Sequence, residues 1–367
     1  MAWKEVQLKL FSSLPNLPPP VFDYVKYCQH LSDTVIDSII DGLQYGISEF
    51  VIIKASRTVS KMELWKFFIN KCLAIKFLEL PNISISKHPG ATRCFEHLTE
   101  LECWTFRSPN LFRELAFICH DIQFLCISCD EDNVGLAELI ASQHKLVEVT
   151  CISMNGGICE RIGQALTTQS TLDTLNIENS LCFMPAVFNS FFRLSELNIT
   201  LDGDTYYDLN PLRSVSLPNL QYLYIMCNDN YPPLDIYAGL IERTRGKLKK
   251  VEIRSSHYLQ KTEYFSLLIR AISSSCPDIK VVCIFYTEAE IKELRDLIGA
   301  CNSLEEITIN GRKIRNEHGA PLVKPVFDIL LAGSRNLREV TLLGEWKSSQ
   351  EEINNFFESW RKLETMY

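Results

Sequence analysis

One phrase, apolar-x-x-apolar-x-apolar, recurs eleven times along this chain. A sequence that repeats itself at a near-constant interval folds by stacking its repeats, so this feature limits the fold more than any other. The series begins at Ile75/Leu78/Leu80 and Leu98/Leu101/Cys103, runs through Leu172/Leu175/Ile177 and Leu220/Leu223/Ile225, and closes at Leu337/Val340/Leu342. From Ile75 to Leu337 there are 262 residues over ten intervals, a mean of about 26, with single gaps of 22 to 33. The last two apolar positions are two apart, so in a strand they point to one side and their neighbours to the other.

The period lies within the roughly 20 to 29 residues of a leucine-rich repeat. The segments between phrases carry helical spacing, as in Phe265/Leu268/Ile269/Ile272 and Ile291/Leu294/Leu297/Ile298. Thr287-Glu288-Ala289-Glu290 reads as a capping box opening the second of these. The expectation is an α/β leucine-rich-repeat solenoid, with a curved parallel sheet on the concave side and helices on the convex side. Residues 71–347 form the solenoid in this reading.

An open solenoid end would expose core, so both ends need covers. Residues 1–70 are expected to be an irregular N-terminal cap. Within it lie the proline-rich Leu14–Pro20, a helix carrying Val35/Ile36/Ile39/Ile40/Leu43, a short strand Phe50–Ile53 and a helix carrying Met62/Leu64/Trp65/Phe68/Ile69. Residues 348–367 are expected to be a capping helix, opened by Ser348 and Glu351, with Ile353, Phe356, Phe357, Trp360 and Leu363 on its apolar stripe.

Charge and composition exclude several functions. The net charge is -8, and the densest basic stretch, Lys247-Leu248-Lys249-Lys250, sits among acidic neighbours. A nucleic-acid groove would need a longer basic stripe to displace phosphate counterions. No run approaches the roughly 18 apolar residues of a membrane span, and the first ten residues hold a Glu and two Lys where a secretory leader would be apolar. A cytoplasmic or nuclear setting follows, with the 14 Cys as free thiols.

The cysteines mostly read as packing. Cys72, Cys119, Cys276 and Cys301 each lie three residues before the first apolar position of a phrase, and Cys94 lies four before Leu98. Recurrence at one register fits a small polarizable side chain at a helix–strand junction. Cys126 and Cys129 form a C-x-x-C, but across a strand their sulfurs diverge. Cys94, His97, His88 and Cys103 contain zinc-like residue types without two close pairs of ligands. Neither a nucleophile elbow nor a phosphate-cradling glycine loop is present. No catalysis and no cofactor or metal is expected.

The outward strand positions are the candidate functional surface. They carry Glu100, Glu102, Glu148, Glu178, Glu196 and Glu252, together with Trp104, Phe124, Tyr222, Tyr224 and Phe285. Glu79, Glu306, Glu339 and Phe77 occupy equivalent places. Aromatic anchors beside charges are what protein interfaces use, and the acidic bias favours a protein partner with a Lys- or Arg-rich segment.

The chain also resembles the fungal F-box and leucine-rich-repeat-like proteins. The residues that carry the resemblance are Phe22–Ser32, Pro89-Gly90-Ala91 ahead of Cys94 and Leu98–Leu101, Leu115–Leu125, and Phe356–Trp360. The resemblance implies repeats that recognise a substrate, and an F-box helical bundle that docks on a Skp-type adaptor of a cullin ubiquitin ligase. Here Leu14-Pro15 is followed by Asn16-Leu17-Pro18 rather than by an acidic residue and a helix, so no adaptor-contacting residue is carried over. The alternative is a repeat scaffold or ligand sensor unrelated to ubiquitination.

Overall fold

The computed structural model describes residues 24–45, 57–85, 87–154, 156–201, 209–227, 233–255, 264–311, 320–333 and 336–364. The expected Leu14–Pro20 segment and Phe50–Ile53 strand lie outside these residues. The phrases become strands β2 (Phe77–Glu79), β3 (Glu100–Trp104), β4 (Phe124–Cys129), β5 (Glu148–Ser153), β6 (Thr174–Asn179) and β7 (Glu196–Leu201). The series continues with β8 (Tyr222–Cys227), β9 (Lys250–Ser255), β10 (Val281–Tyr286), β11 (Glu306–Gly311) and β12 (Glu339–Gly344). A two-residue strand β1 (His30–Leu31) precedes them. All are parallel and lie side by side in chain order, giving one sheet of twelve strands among the described residues.

This is the leucine-rich-repeat solenoid the period predicts. Leu101, Leu125, Val149, Leu175, Leu197, Leu223 and Val251 are cross-strand neighbours in sequence, and every one is buried. A second buried row two residues on runs through Cys103, Ile127, Cys151, Ile177, Ile199, Ile225 and Ile253. Strand alternation thus divides each phrase into a core side and an outer side.

Entry into each strand follows one hydrogen-bonding rule. The carbonyl just before a strand accepts two N–H groups from the next repeat: Gln123 O receives Val147 N and Glu148 N, Val147 O receives Asp173 N and Thr174 N, and Asp173 O receives Ser195 N and Glu196 N. The same rule runs from Gln29 to Glu305. It satisfies backbone groups that the turn would otherwise bury unpaired.

Most return segments are helices, among them Pro109–Ala116, Val134–Ala141, Glu160–Thr167, Leu234–Glu242, Phe265–Ser275, Ile291–Ala300 and Lys324–Gly333. Between β6 and β8 they shrink to 3-10 turns at Pro185–Ser190, where the phrase interval drops to 22 residues, and at Asn210–Ser214, where it is 26 residues; a proline stands in the first turn of each. Helices pack about 10 Å apart and strands about 4.8 Å apart, so stacking bends the body with the sheet on the inner curve. Polar side chains fasten one repeat to the next. Buried Asn133 caps Val134–Ala141 by accepting Leu136 N at 3.1 Å, while its amide donates to the carbonyls of Thr105 (2.7 Å) and Arg107 (2.8 Å). Asp132 reaches forward and accepts Arg161 N and Ile162 N at the start of Glu160–Thr167.

The repeated cysteines are core, and each thiol has a specific partner one repeat back. Cys72 Sγ donates to Val25 O (3.2 Å), Cys119 Sγ to Phe95 O (3.1 Å) and Cys301 Sγ to Cys276 O (3.6 Å). The expected capping box at Thr287 is present, with Glu290 accepting both the Thr287 N–H and its hydroxyl.

The two expected N-terminal helices are Asp33–Tyr45 and Arg57–Lys71, joined by Lys61 pairing with Asp33 and Asp37. At the other end the helix Gln350–Glu364 seats Phe356 on Phe327, ring centroids 4.0 Å apart. Two details of that helix differ from expectation. Its cap is Ser349 with Glu352 rather than Ser348 with Glu351, because Ser349 Oγ accepts Glu352 N and Glu352 accepts Ser349 N. Phe357 turns outward and is 56% exposed.

Candidate functional site

The outer side of the sheet is organised in three rows, each crossing the strands at one register. The first runs Phe77, Glu100, Phe124, Glu148, Thr174, Glu196, Tyr222, Lys250. The second runs Glu79, Glu102, Cys126, Thr150, Asn176, Asn198, Tyr224, Glu252. The third runs Trp104, Ser128, Ile152, Glu178, Thr200, Met226, Arg254. Carboxylates therefore stand beside aromatic rings, strand after strand.

Ten of the eleven candidate residues lie on this surface in exposed or half-buried positions. Phe124 is 41% exposed and Tyr222 is 40% exposed. Glu100 and Glu178 are exposed, and Glu102, Trp104, Glu148, Glu196, Tyr224 and Glu252 are half-buried. Phe285 is the correction: it is 1% exposed and stacks on Phe265 with ring centroids 5.4 Å apart. The cause is local. Strand β10 reads Val-Val-Cys-Ile-Phe-Tyr, and Cys283 and Phe285 are buried as well as Val282 and Ile284. Alternation fails where a strand is covered on both faces.

The carboxylates are not equivalent. Glu252 is paired with Lys250 (3.1 Å) and Arg254 (3.5 Å) on its own strand, which neutralises the sheet there. Glu148 and Glu196 are held by amides: Asn176 Nδ2 donates to Glu148 Oε1 (2.8 Å), Asn198 Nδ2 to Glu196 Oε1 (2.9 Å), and Asn198 also to Asn176 Oδ1 (2.8 Å). Glu79 caps the first helix by accepting Asp33 N, and burial raises its carboxyl above the ordinary range. Glu100, Glu102 and Glu178 form no ion pair among the described residues. At the rim, the Arg107 guanidinium lies over Trp104 (5.3 Å) and Phe106 (5.1 Å), which joins those rings into one cation–π cluster.

The zinc-like set is not assembled. Cys94 and Cys103 are buried in the core, whereas His97 is exposed and lies 3.6 Å from Glu96. Cys126 faces outward in the second row and Cys129 inward, so the C-x-x-C does not close. The structure gathers a different set. The sulfurs of Cys129, Cys151 and Cys182 all lie within 4.8 Å of one another, and the buried Cys159, whose thiol donates to Glu131 O (3.6 Å), is tied to Cys182 through its main chain. Their spacing of 22, 8 and 23 residues matches no ligand motif, and only the stacking of three repeats brings them together.

No family model matches the chain, and no curated protein matches it in sequence. Among solved structures it is similar to the leucine-rich-repeat-containing protein LegL7 from Legionella pneumophila, at 13% identity and a TM-score of 0.40, covering 78% of this chain and 90% of that one. A leucine-rich-repeat protein of Leptospira interrogans also shows 13% identity and a TM-score of 0.40, over 77% of this chain and 68% of that one. The fold assignment rests on the strand order and ladders described above. No described helix is long and apolar enough to cross a membrane.

Proposed function

We propose that this chain is a protein-binding module that takes a basic segment of its partner onto the outer face of strands β3–β8. The observation that carries this reading is the set Glu100, Glu102 and Glu178, acidic and unpaired among the described residues, beside the half-exposed rings of Phe124 and Tyr222. Unpaired carboxylates steer a cationic segment, and exposed rings supply the apolar contact that holds it. Catalysis has no residues in this reading; the surface binds.

The finer reading is the substrate-recognition part of an F-box-type ubiquitin ligase, and it rests on the sequence resemblance alone. The alternative is a scaffold or sensor outside ubiquitination.

The test is quantitative capture from lysate with the intact chain, against a variant carrying Glu100→Lys and Glu102→Lys. The variant is expected to lose at least about tenfold in captured partner, with an unchanged Tm, because both side chains sit on the solvent side. Equal capture by both chains removes this face from the reading. Recovery of a Skp-type adaptor in the same eluate supports the finer reading, and its absence favours the alternative.

A further inference from the structure

Four thiols meet where β4, β5 and β6 turn toward their return segments. Cys129 ends β4, Cys151 lies within β5, Cys159 immediately precedes the helix Glu160–Thr167, and Cys182 follows β6. All four are fully buried. A main-chain hydrogen bond from Cys159 N to Cys182 O (2.8 Å) fastens two of these segments together.

We propose that Cys129, Cys151, Cys182 and Cys159 form a thiolate site for one Zn2+ ion that staples three consecutive repeats. Zn2+ takes four ligands tetrahedrally with Zn–S near 2.3 Å, which sets S–S separations of about 3.8 Å. Three sulfurs already within 4.8 Å of one another need move less than about 1 Å to reach that figure. Cys159 lies outside that 4.8 Å set, but its main chain is tied to Cys182 O at 2.8 Å, and a side-chain rotation away from Glu131 O supplies the fourth vertex. Cys119, outside the cluster, gives its thiol proton to the Phe95 carbonyl one repeat back at 3.1 Å. Within the cluster, Cys129 and Cys159 make only long carbonyl contacts, to Ile127 O (3.7 Å) and Glu131 O (3.6 Å).

The surroundings suit a metal-bound thiolate. Ser180, in the same loop, keeps a buried hydroxyl with no partner among the described residues, a donor free to serve a thiolate. Coordination releases one proton from each thiol to solvent and leaves a site of net charge minus two. The N-terminus of Glu160–Thr167, beside Cys159, partly offsets that charge.

The test uses the intact chain, reduced and stripped of metal with a chelator, and Co2+ as the optical probe. One Co2+ per chain is expected, with an intense sulfur-to-metal charge-transfer band and the visible bands of a tetrahedral site. Zn2+ should displace it and raise the Tm. Cys182→Ser should weaken Zn2+ binding by more than about a hundredfold, beyond the loss of a mere supporting contact. Cys159→Ser should lower the charge-transfer intensity by about a quarter, one metal–sulfur bond of four, and Cys119→Ala, outside the cluster, should leave binding intact. A wild-type chain that gives no charge-transfer band overturns the proposal, and that result holds even where Cys182→Ser does not fold. So does binding that Cys182→Ser leaves unchanged. None of these readouts involves the partner-binding face.

Discussion

Two glycine-to-alanine substitutions, at Gly135 and Gly299, are expected to shift stability in opposite directions. Gly135 lies in the first turn of Val134–Ala141, where that helix crosses Pro109–Ala116. A Cβ placed there would stand 2.0 Å from the Pro109 carbonyl oxygen and 2.6 Å from its carbon. Both are main-chain atoms, so no side-chain rotation relieves the overlap. One helix must retreat by about 1 Å, which opens an interface built on Leu136, Leu139 and Ile140. Overpacking alone costs about 1–3 kcal/mol, and loosening those three side chains brings the loss to about 3 kcal/mol or more. At Gly299 an added Cβ meets nothing within 4 Å. Gly299→Ala therefore stabilises by about 0.5–1 kcal/mol through helix propensity. Guanidinium unfolding of both variants, followed by circular dichroism and by tryptophan fluorescence, measures the two shifts. A solenoid can unfold in parts, so the two probes are compared before a single free energy is drawn. Gly135→Ala within about 0.5 kcal/mol of wild type would refute the close helix approach and the stacking argument built on it.

Three further outcomes are expected. Leu197→Ala, in the middle of the buried ladder, should destabilise by about 3–5 kcal/mol, measured by the same unfolding curves. Glu290 is buried and its carboxyl is raised by burial, with the Thr287 hydrogen bonds opposing. Its folded value lies above its unfolded one, so its contribution is fullest below the ordinary Glu range and falls as pH rises through the folded value. Glu290→Gln, which keeps an acceptor for Thr287, should flatten that slope and match or exceed wild-type Tm at neutral pH, whereas Glu290→Ala should lose about 1–2 kcal/mol. Glu138→Gln, which breaks an exposed pair with Arg113 at 2.7 Å, should leave the unfolding midpoint unchanged within experimental error.

The repeat was legible because a period-two pattern inside a period of about 26 has one efficient packing. Leu101, Leu125, Leu175, Leu197 and Leu223 were expected to share an interior, and they do. Strand β1 is not legible as a phrase because Cys28-x-x-Leu31 supplies two apolar places and then Asp33, which starts a helix instead. Phe285 was misplaced although the signal was present: six apolar residues in a row mark a strand covered on both faces. The C-terminal cap slipped by one because Ser348-Ser349-Gln350-Glu351-Glu352 contains the same phrase in two registers. Packing of Phe356 on Phe327 selects between them. The thiol cluster had no linear signature. Its members are near only because β4, β5 and β6 are stacked, and the one trace in the sequence is a cysteine, Cys129 and Cys151, in each of two consecutive phrases.

The amide chain joining Glu148, Asn176, Asn198 and Glu196 has a consequence for recognition. It locks two carboxylates on strands two apart, and so fixes them at about twice the inter-strand spacing, close to 10 Å. Under the proposed reading the face works as a ruler. Seven residues of α-helix advance about 10.5 Å, so a partner helix with cations seven residues apart meets both marks at once. One with cations four apart meets a single mark, and the rigidity of the amides prevents the surface from closing the gap.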